Sequence, residues 1–353
     1  MFPLNFVRAA QSSRSKYFMM PDEAGPHRRT WMAFKADNDI WARKQIPEVK
    51  RNLANIARTI AKYEPVNILV SRNDEQELIS LLGGLKSHLH LIELVNFEVN
   101  DFWLRDTGPV FVVNEEDEKF GIDFNFNGWG RKQVHHLDSK VASLISAYSD
   151  SEIIQTDLVL EGGGIEVDGQ GTAIISKSCV LNDNRNPGKN QREVEEELKS
   201  LLGLRKIIWL EGIKGRDITD GHTDFYARFA SPGVVLVGRD NYKPSYDYDI
   251  TRENIRVLDS AHDANGNKLE LFVMDAPDTI NESYGVNDFA AGYIGYYVCN
   301  GAVIAQKFGD QSTDQKAFEI LSKVYPNRMI EQIQIDGIAS GGGSVHCTTQ
   351  QEI

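Results

Sequence analysis

The chain has only three cysteines in 353 residues, Cys179, Cys299 and Cys347, and no C-x-x-C spacing among them. So sparse and odd a set gives no disulfide framework and no zinc-ribbon pattern, and it fits a reducing cytoplasm. Basic charge is also short. Thirty-eight Lys and Arg against 51 Asp and Glu leave a net charge of −13 and a pI near 5.1. Phosphate backbones are bound by clustered Lys and Arg, so nucleic acid is not an expected partner, whereas a negative field suits a small cation. No apolar run reaches the roughly 18 residues of a membrane span. The start, MFPLNFVRAAQSSRSKYFMMPDE, lacks an apolar core of roughly 7–15 residues and does not read as an intact signal peptide. Nor does any Pro-, Ser- or Gly-rich linker divide the chain, so one domain over residues 1–353 is expected.

What is present repeats. Five segments share an acidic or glycine-rich turn, a short strand, a Gly/Asn turn and a second strand: NDFWLRDTGPVFVVN, LEGGGIEVDGQGTAIISKS, TDGHTDFYARFASPGVVLVGR, NDFAAGYIGYYVCNGAVIAQKF and ASGGGSVHCTTQQEI. Counted from Asp101, Glu161, Asp220, Asp288 and Gly341 the spacings are 60, 59, 68 and 53, close enough to one period to imply a repeated unit. Amphipathic stretches such as NQREVEEELKSLLG and TDQKAFEILSKVY lie between copies and predict helices. Runs such as SEIIQT, KIIWLEG and MIEQIQI predict a strand before the next copy. The fifth copy has no helix of its own, and IPEVKRNLANIARTIAKY with VNILVS near the N-terminus supplies one. Units too small to bury their own apolar face stack, so five ββαβ-like repeats in a ring closed by the N-terminal segment are expected.

If the five turns face one axis, their polar residues converge. The first turn offers Trp103, Arg105 and Asp106, the second Glu161, the third His222 and Asp224, the fifth Cys347. In GHTD, strand alternation would put His222 and Asp224 on one face. The three glycines Gly341, Gly342 and Gly343 do not make a P-loop, because no Gly-Lys-Ser/Thr follows. Carboxylates around a thiol raise its pKa and discourage the thiolate, an arrangement that becomes sensible when the ligand is itself a cation. A planar guanidinium matches carboxylates bidentately and carries an electrophilic, resonance-deactivated carbon suited to a soft nucleophile. A metal-dependent hydrolase using His222, Asp224, His135 or His136 and Cys347 is the alternative. Cys179 and Cys299 follow apolar or small residues in strand-like runs and read as core cysteines.

The motifs MPDEAGPHRRTWMAF, WLRDTGP, NFNGWG, LEGGG, LNDNRNP, GHTD and GGGSVHC, in this order, resemble those of agmatine deiminases and the related bacterial-type peptidyl-arginine deiminases, over residues 19 to 351. The resemblance implies a mixed α/β fold, the five-bladed pseudo-symmetric propeller of the guanidino-group-modifying (pentein) superfamily, with its active site on the central axis. It also implies metal-independent hydrolysis of agmatine to N-carbamoylputrescine and ammonia, a step of putrescine and polyamine biosynthesis, with no cofactor. Cys347 would be the nucleophile and His222 the acid and then the base. Asp106 and Asp224 would grip the guanidinium, Glu161 would support it and orient His222, and Trp103 would pack along the substrate stem. Peptidyl-arginine or another guanidino compound is the alternative substrate, and a homodimer is compatible with this reading. The chain departs from the pattern at Gly164, where Asn is frequent, at Gly128, where Ala is common, and in GRDITDGHTD, which replaces a more acidic segment.

Overall fold

The computed structural model describes residues 17–281, 283 and 289–353. The opening residues of the N-terminal stretch and Asp288, expected to start the fourth copy, lie outside the described residues. The architecture is mixed α/β, and the described residues form five separate sheets of three or four strands.

Every sheet is built around the same three-strand pattern. Strand Val110–Asn114 pairs antiparallel with Lys119–Asp123, helix Val141–Tyr148 follows, and Glu152–Gln155 returns parallel to the middle strand. The pattern recurs with Ile165–Val167, Thr172–Ser176 and Lys206–Leu210, joined by helix Gln191–Leu202. It recurs again with Ala227–Ser231, Val234–Arg239 and Glu270–Asp275, and with Tyr297–Cys299, Ala302–Lys307 and Met329–Gln334. The fifth sheet joins the two ends of the chain. Gln350–Glu352 runs antiparallel to Arg29–Phe34, which is parallel to Val66–Val70 across helix Ile46–Ile60. Ile92–Asn96 extends that sheet, and Phe18–Met19 extends the first.

Local chemistry sets these elements. In helix Gln191–Leu202, Asn190 and Glu193 form a reciprocal capping box and Gly203, with φ +68°, ends the helix. Its buried face is Val194, Leu198 and Leu202, one residue per turn, and truncating either leucine to Ala should cost about 2–5 kcal/mol. Chain ends usually fray. Here the last strand is held, because Trp31 Nε1 and Lys119 Nζ donate to the two oxygens of buried Glu352 at 2.8 and 2.6 Å. That anchorage fixes the stretch carrying Cys347. Among the described residues, no helix is long and apolar enough to cross a membrane.

Candidate active site

Short helical turns, at the acidic or glycine-rich turns that the sequence reading expected, lead into the first strands of four sheets. They are Leu104–Thr107, Gly162–Gly164, Thr223–Tyr226 and His346–Thr348. Glycine lets them meet. A methyl group on Gly163 would lie 2.6 Å from His222 Nδ1, 2.9 Å from Asp106 Oδ1 and 3.1 Å from Asp224 Oδ2, so three polar atoms from two other turns face one point. The glycine run before Cys347 has the same cause. A side chain on Gly341 would collide with Trp41 and one on Gly343 with Trp103, while Gly342 has φ +88°.

Glu161 is fully buried and works on two sides. Its Oε1 accepts from Arg185 Nε at 2.9 Å, and its Oε2 lies 3.2 Å from His222 Nε2. Burial opposes its ionisation, but His222 and Arg185 outweigh burial and lower its pKa from the usual glutamate value. His222 Nδ1 is 3.7 Å from Asp106 Oδ1. Burial disfavours the imidazolium, yet the charge of Asp106, then Cys179 and the hydrogen bond to Glu161, lift the pKa well above 6.5. Asp106 accepts from Gly163 N–H at 3.1 Å and from Trp129 Nε1 at 2.9 Å. Burial is the main reason that its pKa is raised to about 6, with Asp224 and Glu161 adding to it against His222.

Cys347 is half-buried. Its sulfur lies 3.4 Å from Ser344 Oγ and 3.8 Å from Asp224 Oδ2. Burial first, then Asp224 and Asp106, push the thiol pKa up to about 12, so the resting group is a thiol. Asp224 Oδ2 also meets His346 Nδ1 at 2.7 Å; burial opposes ionisation, but this contact with the charges of His222 and Arg228 lowers the carboxylate's pKa.

The turns bring Cys347, His222, Asp224, Asp106 and Glu161 together. The reason expected for the His222–Asp224 pair is wrong, however. GHTD is no strand: His222 precedes the helical turn Thr223–Tyr226 and Asp224 lies within it, so curvature of the turn aligns them. Trp103 packs on Phe102, with ring centroids 4.3 Å apart, and donates Nε1–H to Asp101 at 2.9 Å beside the Gly343 backbone. Cys299 is a buried strand residue. Cys179 is buried too, but in the helical turn Lys177–Val180, with its sulfur 3.4 Å from Glu161 Oε2. Among the described residues, the set of three donors close enough for a metal is Glu161, Cys179 and His222. Arg185 already occupies both oxygens of that glutamate, which argues against a cation there. His135, named in the metal alternative, instead contacts Gln133 O and packs on Phe126.

Sequence reasoning missed several supporting residues. Glu23, inside MPDEAGPHRR, accepts from Arg105 and Arg228 at 2.9 and 2.8 Å and touches His346 Nε2 at 2.8 Å. His346 itself adjoins the singled-out Cys347. Trp129, in NFNGWG, is aimed at Asp106 by four successive left-handed residues, Gly128 to Arg131, which explains a glycine at 128. Two glycines flanking an indole were the available signal.

Comparison with known proteins agrees with this geometry. Residues 19–352 match the Porphyromonas-type peptidyl-arginine deiminase family. An agmatine deiminase of Medicago truncatula is 35% identical, the alignment covering 95% of this chain and 96% of the relative. One from Pseudomonas aeruginosa is 34% identical, with 96% of each chain covered. The solved agmatine deiminase of Enterococcus faecalis superposes with a TM-score of 0.89 at 29% identity, over 98% of this chain and 99% of its own. A family match along nearly the whole chain, joined to relatives above 30% identity, means that this chain belongs to the Porphyromonas-type peptidyl-arginine deiminase family.

Proposed function

We propose that this chain hydrolyses the guanidinium of agmatine to N-carbamoylputrescine and ammonia, through a covalent intermediate on Cys347. The observation that carries the reading is the convergence of His222, Asp106 and Asp224 on one point at Gly163, with the Cys347 sulfur beside Asp224. Two carboxylates there suit a forked planar cation, and the half-buried thiol suits its carbon. The relatives' names favour agmatine over an arginyl peptide.

In this mechanism the substrate's positive charge offsets the carboxylates that keep Cys347 protonated. The Cys347 proton passes to solvent as the cation enters, and the sulfur bonds to the guanidinium carbon. His222 hands a proton to one nitrogen, the C–N bond breaks and ammonia leaves, giving a thiouronium. His222 then takes a proton from water, the hydroxyl adds to the same carbon, and cleavage of the C–S bond frees the ureido product and the thiol. Asp106 and Asp224 hold the guanidinium nitrogens, Glu161 orients His222, and Trp103 lies along the substrate stem. The nucleophile is a side chain and the electrophile brings its own charge, so these steps ask for no metal or cofactor.

The same reading takes residues 1–353 as one domain whose five ββαβ-like units are the blades of a pseudo-symmetric α/β propeller, with this site on the axis. Support comes from the strand–strand–helix–strand pattern shared by all five sheets and from the pairing of the last strand with Arg29–Phe34. A reducing compartment such as the cytoplasm suits an enzyme that needs a free thiol. Incubation with agmatine, free arginine and an arginyl peptide, following ammonia and the ureido product, tests the proposal. Release from agmatine alone supports it, release from the peptide alone replaces agmatine as substrate, and release from none removes the function.

A further inference from the structure

His346 lies in the wall of the site, 2% exposed, between two acidic residues. Its Nδ1 is 2.7 Å from Asp224 Oδ2 and its Nε2 is 2.8 Å from Glu23 Oε2. At such distances each contact needs a proton between nitrogen and oxygen. A neutral imidazole has one N–H, and its other nitrogen would then set a lone pair against a carboxylate oxygen. Two such contacts at once therefore call for a second proton on the ring.

The neighbours divide over that proton. Arg105 Nε approaches the His346 carbonyl at 3.4 Å, and its Nη2 pairs with Glu23 at 2.9 Å. Arg228 binds Glu23 Oε1 through Nη2 and Glu166 Oε2 through Nε. Burial first, then these two guanidiniums, disfavour a charged ring, and they outweigh Glu23 and Asp224, so the ring's pKa is lowered from 6.5. Glu23 is held in place independently, by both arginines and by the Val298 N–H at 2.9 Å. Asp224 is not. Its Oδ2 has the ring and, at 3.8 Å, the Cys347 sulfur, and among the described residues its Oδ1 has no hydrogen bond.

We propose that His346 is a positioning residue whose Nδ1–H fixes the Asp224 carboxylate beside the Cys347 sulfur, with Glu23 as the anchor behind the ring. The nucleophile's own neighbour in the chain thereby sets the orientation of the carboxylate that receives the cation. This rests on the deiminase reading of the site, so its test uses a probe that needs no turnover.

The two ring contacts can be separated by amide substitutions. The Asn amide nitrogen is as many bonds from Cβ as Nδ1, and the Gln amide nitrogen as many as Nε2. His346→Asn thus keeps a donor toward Asp224, and His346→Gln keeps one toward Glu23. The probes are chloroacetamidine, a planar cation, and neutral chloroacetamide; in each case the Cys347 sulfur displaces chloride, and peptide mass mapping reads Cys347 alone. The rate ratio of cation to neutral reagent measures guidance by the carboxylates. The wild type should prefer the cation, His346→Asn should keep that preference within about 10-fold, and His346→Gln should lose about 100-fold, as expected for a misplaced positioning group. Agmatine turnover of the same variants should fall in the same order. Absence of the preference in the wild type, equal loss in both variants, or the reverse order overturns the proposal. So does an unfolded His346→Asn, since the Glu23 contact would then be the one that matters. If His346→Gln alone fails to fold, His346→Asn decides by itself, and a loss of about 100-fold in it overturns the proposal. Failure of every substrate to turn over while the ratios hold would remove the proposed reaction and leave the positioning role standing.

Discussion

Asp224 Oδ2 lies 3.8 Å from the sulfur of Cys347, so the resting nucleophile faces a negative charge. Burial, Asp224 and Asp106 together hold the thiol near pKa 12. Replacing either carboxylate by Asn removes charge at nearly constant shape. Asp106→Asn and Asp224→Asn should each lose most of kcat/KM for agmatine, because an unpaired buried cation costs about 3–5 kcal/mol. Each should also react faster with a neutral thiol reagent, since more thiolate forms once the charge is gone. Substrate kinetics beside the alkylation rate of Cys347 measure both. Near-normal kinetics in both variants would make the carboxylates structural.

Cys347→Ala and Cys347→Ser should abolish turnover yet keep the fold and guanidinium binding. The other two cysteines cannot replace it. Cys179 is buried behind Glu161, which with burial raises its pKa to about 11, and Cys299 is buried in a strand. Calorimetric titration of the Ala variant with agmatine, paired with an ammonia assay, checks both halves. A residual rate of about a tenth of wild type would remove the thiol from the chemistry.

His222→Gln should lower kcat by roughly 10²–10⁴-fold, the usual contribution of a general acid–base group. Stability should respond to pH as well. The folded pKa of His222 is raised above 6.5, so the charged ring's contribution is complete below 6.5 and is lost as pH rises through the folded value. The difference in urea midpoint between wild type and His222→Gln should therefore shrink from about pH 6 toward alkaline pH. A difference that grew over this range would mean that the ring is buried neutral.

Much of this was legible in the sequence where the signal was periodic. Helix Gln191–Leu202 announced itself by its apolar spacing, and Lys206–Leu210 by its strand-like apolar run. Cys347, His222 and Glu161 stood out because glycine-rich turns introduce them. The local geometry of GHTD did not, since a four-residue segment is too short to show whether its period is 2 or 3.6. Glu23 was hidden for another reason. Its contact with His346 joins residues 323 apart, and no local pattern records which distant cation or imidazole a glutamate will meet. Cys179 shows the limit of reading burial alone, because a buried cysteine was expected and found, but beside Glu161 rather than in a purely apolar core.

Gly163 supplies a test of the convergence itself. A methyl group there would stand 2.6 to 3.1 Å from atoms of His222, Asp106 and Asp224, where an ordinary carbon contact needs about 3.5 Å or more. The Gly163 N–H also donates to Asp106 Oδ1, so the backbone cannot retreat without losing that bond. The side chains must therefore move, and all three are asked to hold one substrate or to move its protons. Gly163→Ala should cost about 100-fold or more in kcat/KM, the scale of loss that a displacement of about 1 Å produces. Gly188→Ala is the matched control. That glycine, at φ +77°, has open space where its methyl would go, so the change strains the backbone without touching the site. Its effect should appear in the unfolding midpoint and leave kcat/KM within a few-fold of wild type. Equal kinetic losses in the two variants would mean that glycine at 163 serves the backbone, and that the meeting of the three polar atoms does not set the rate.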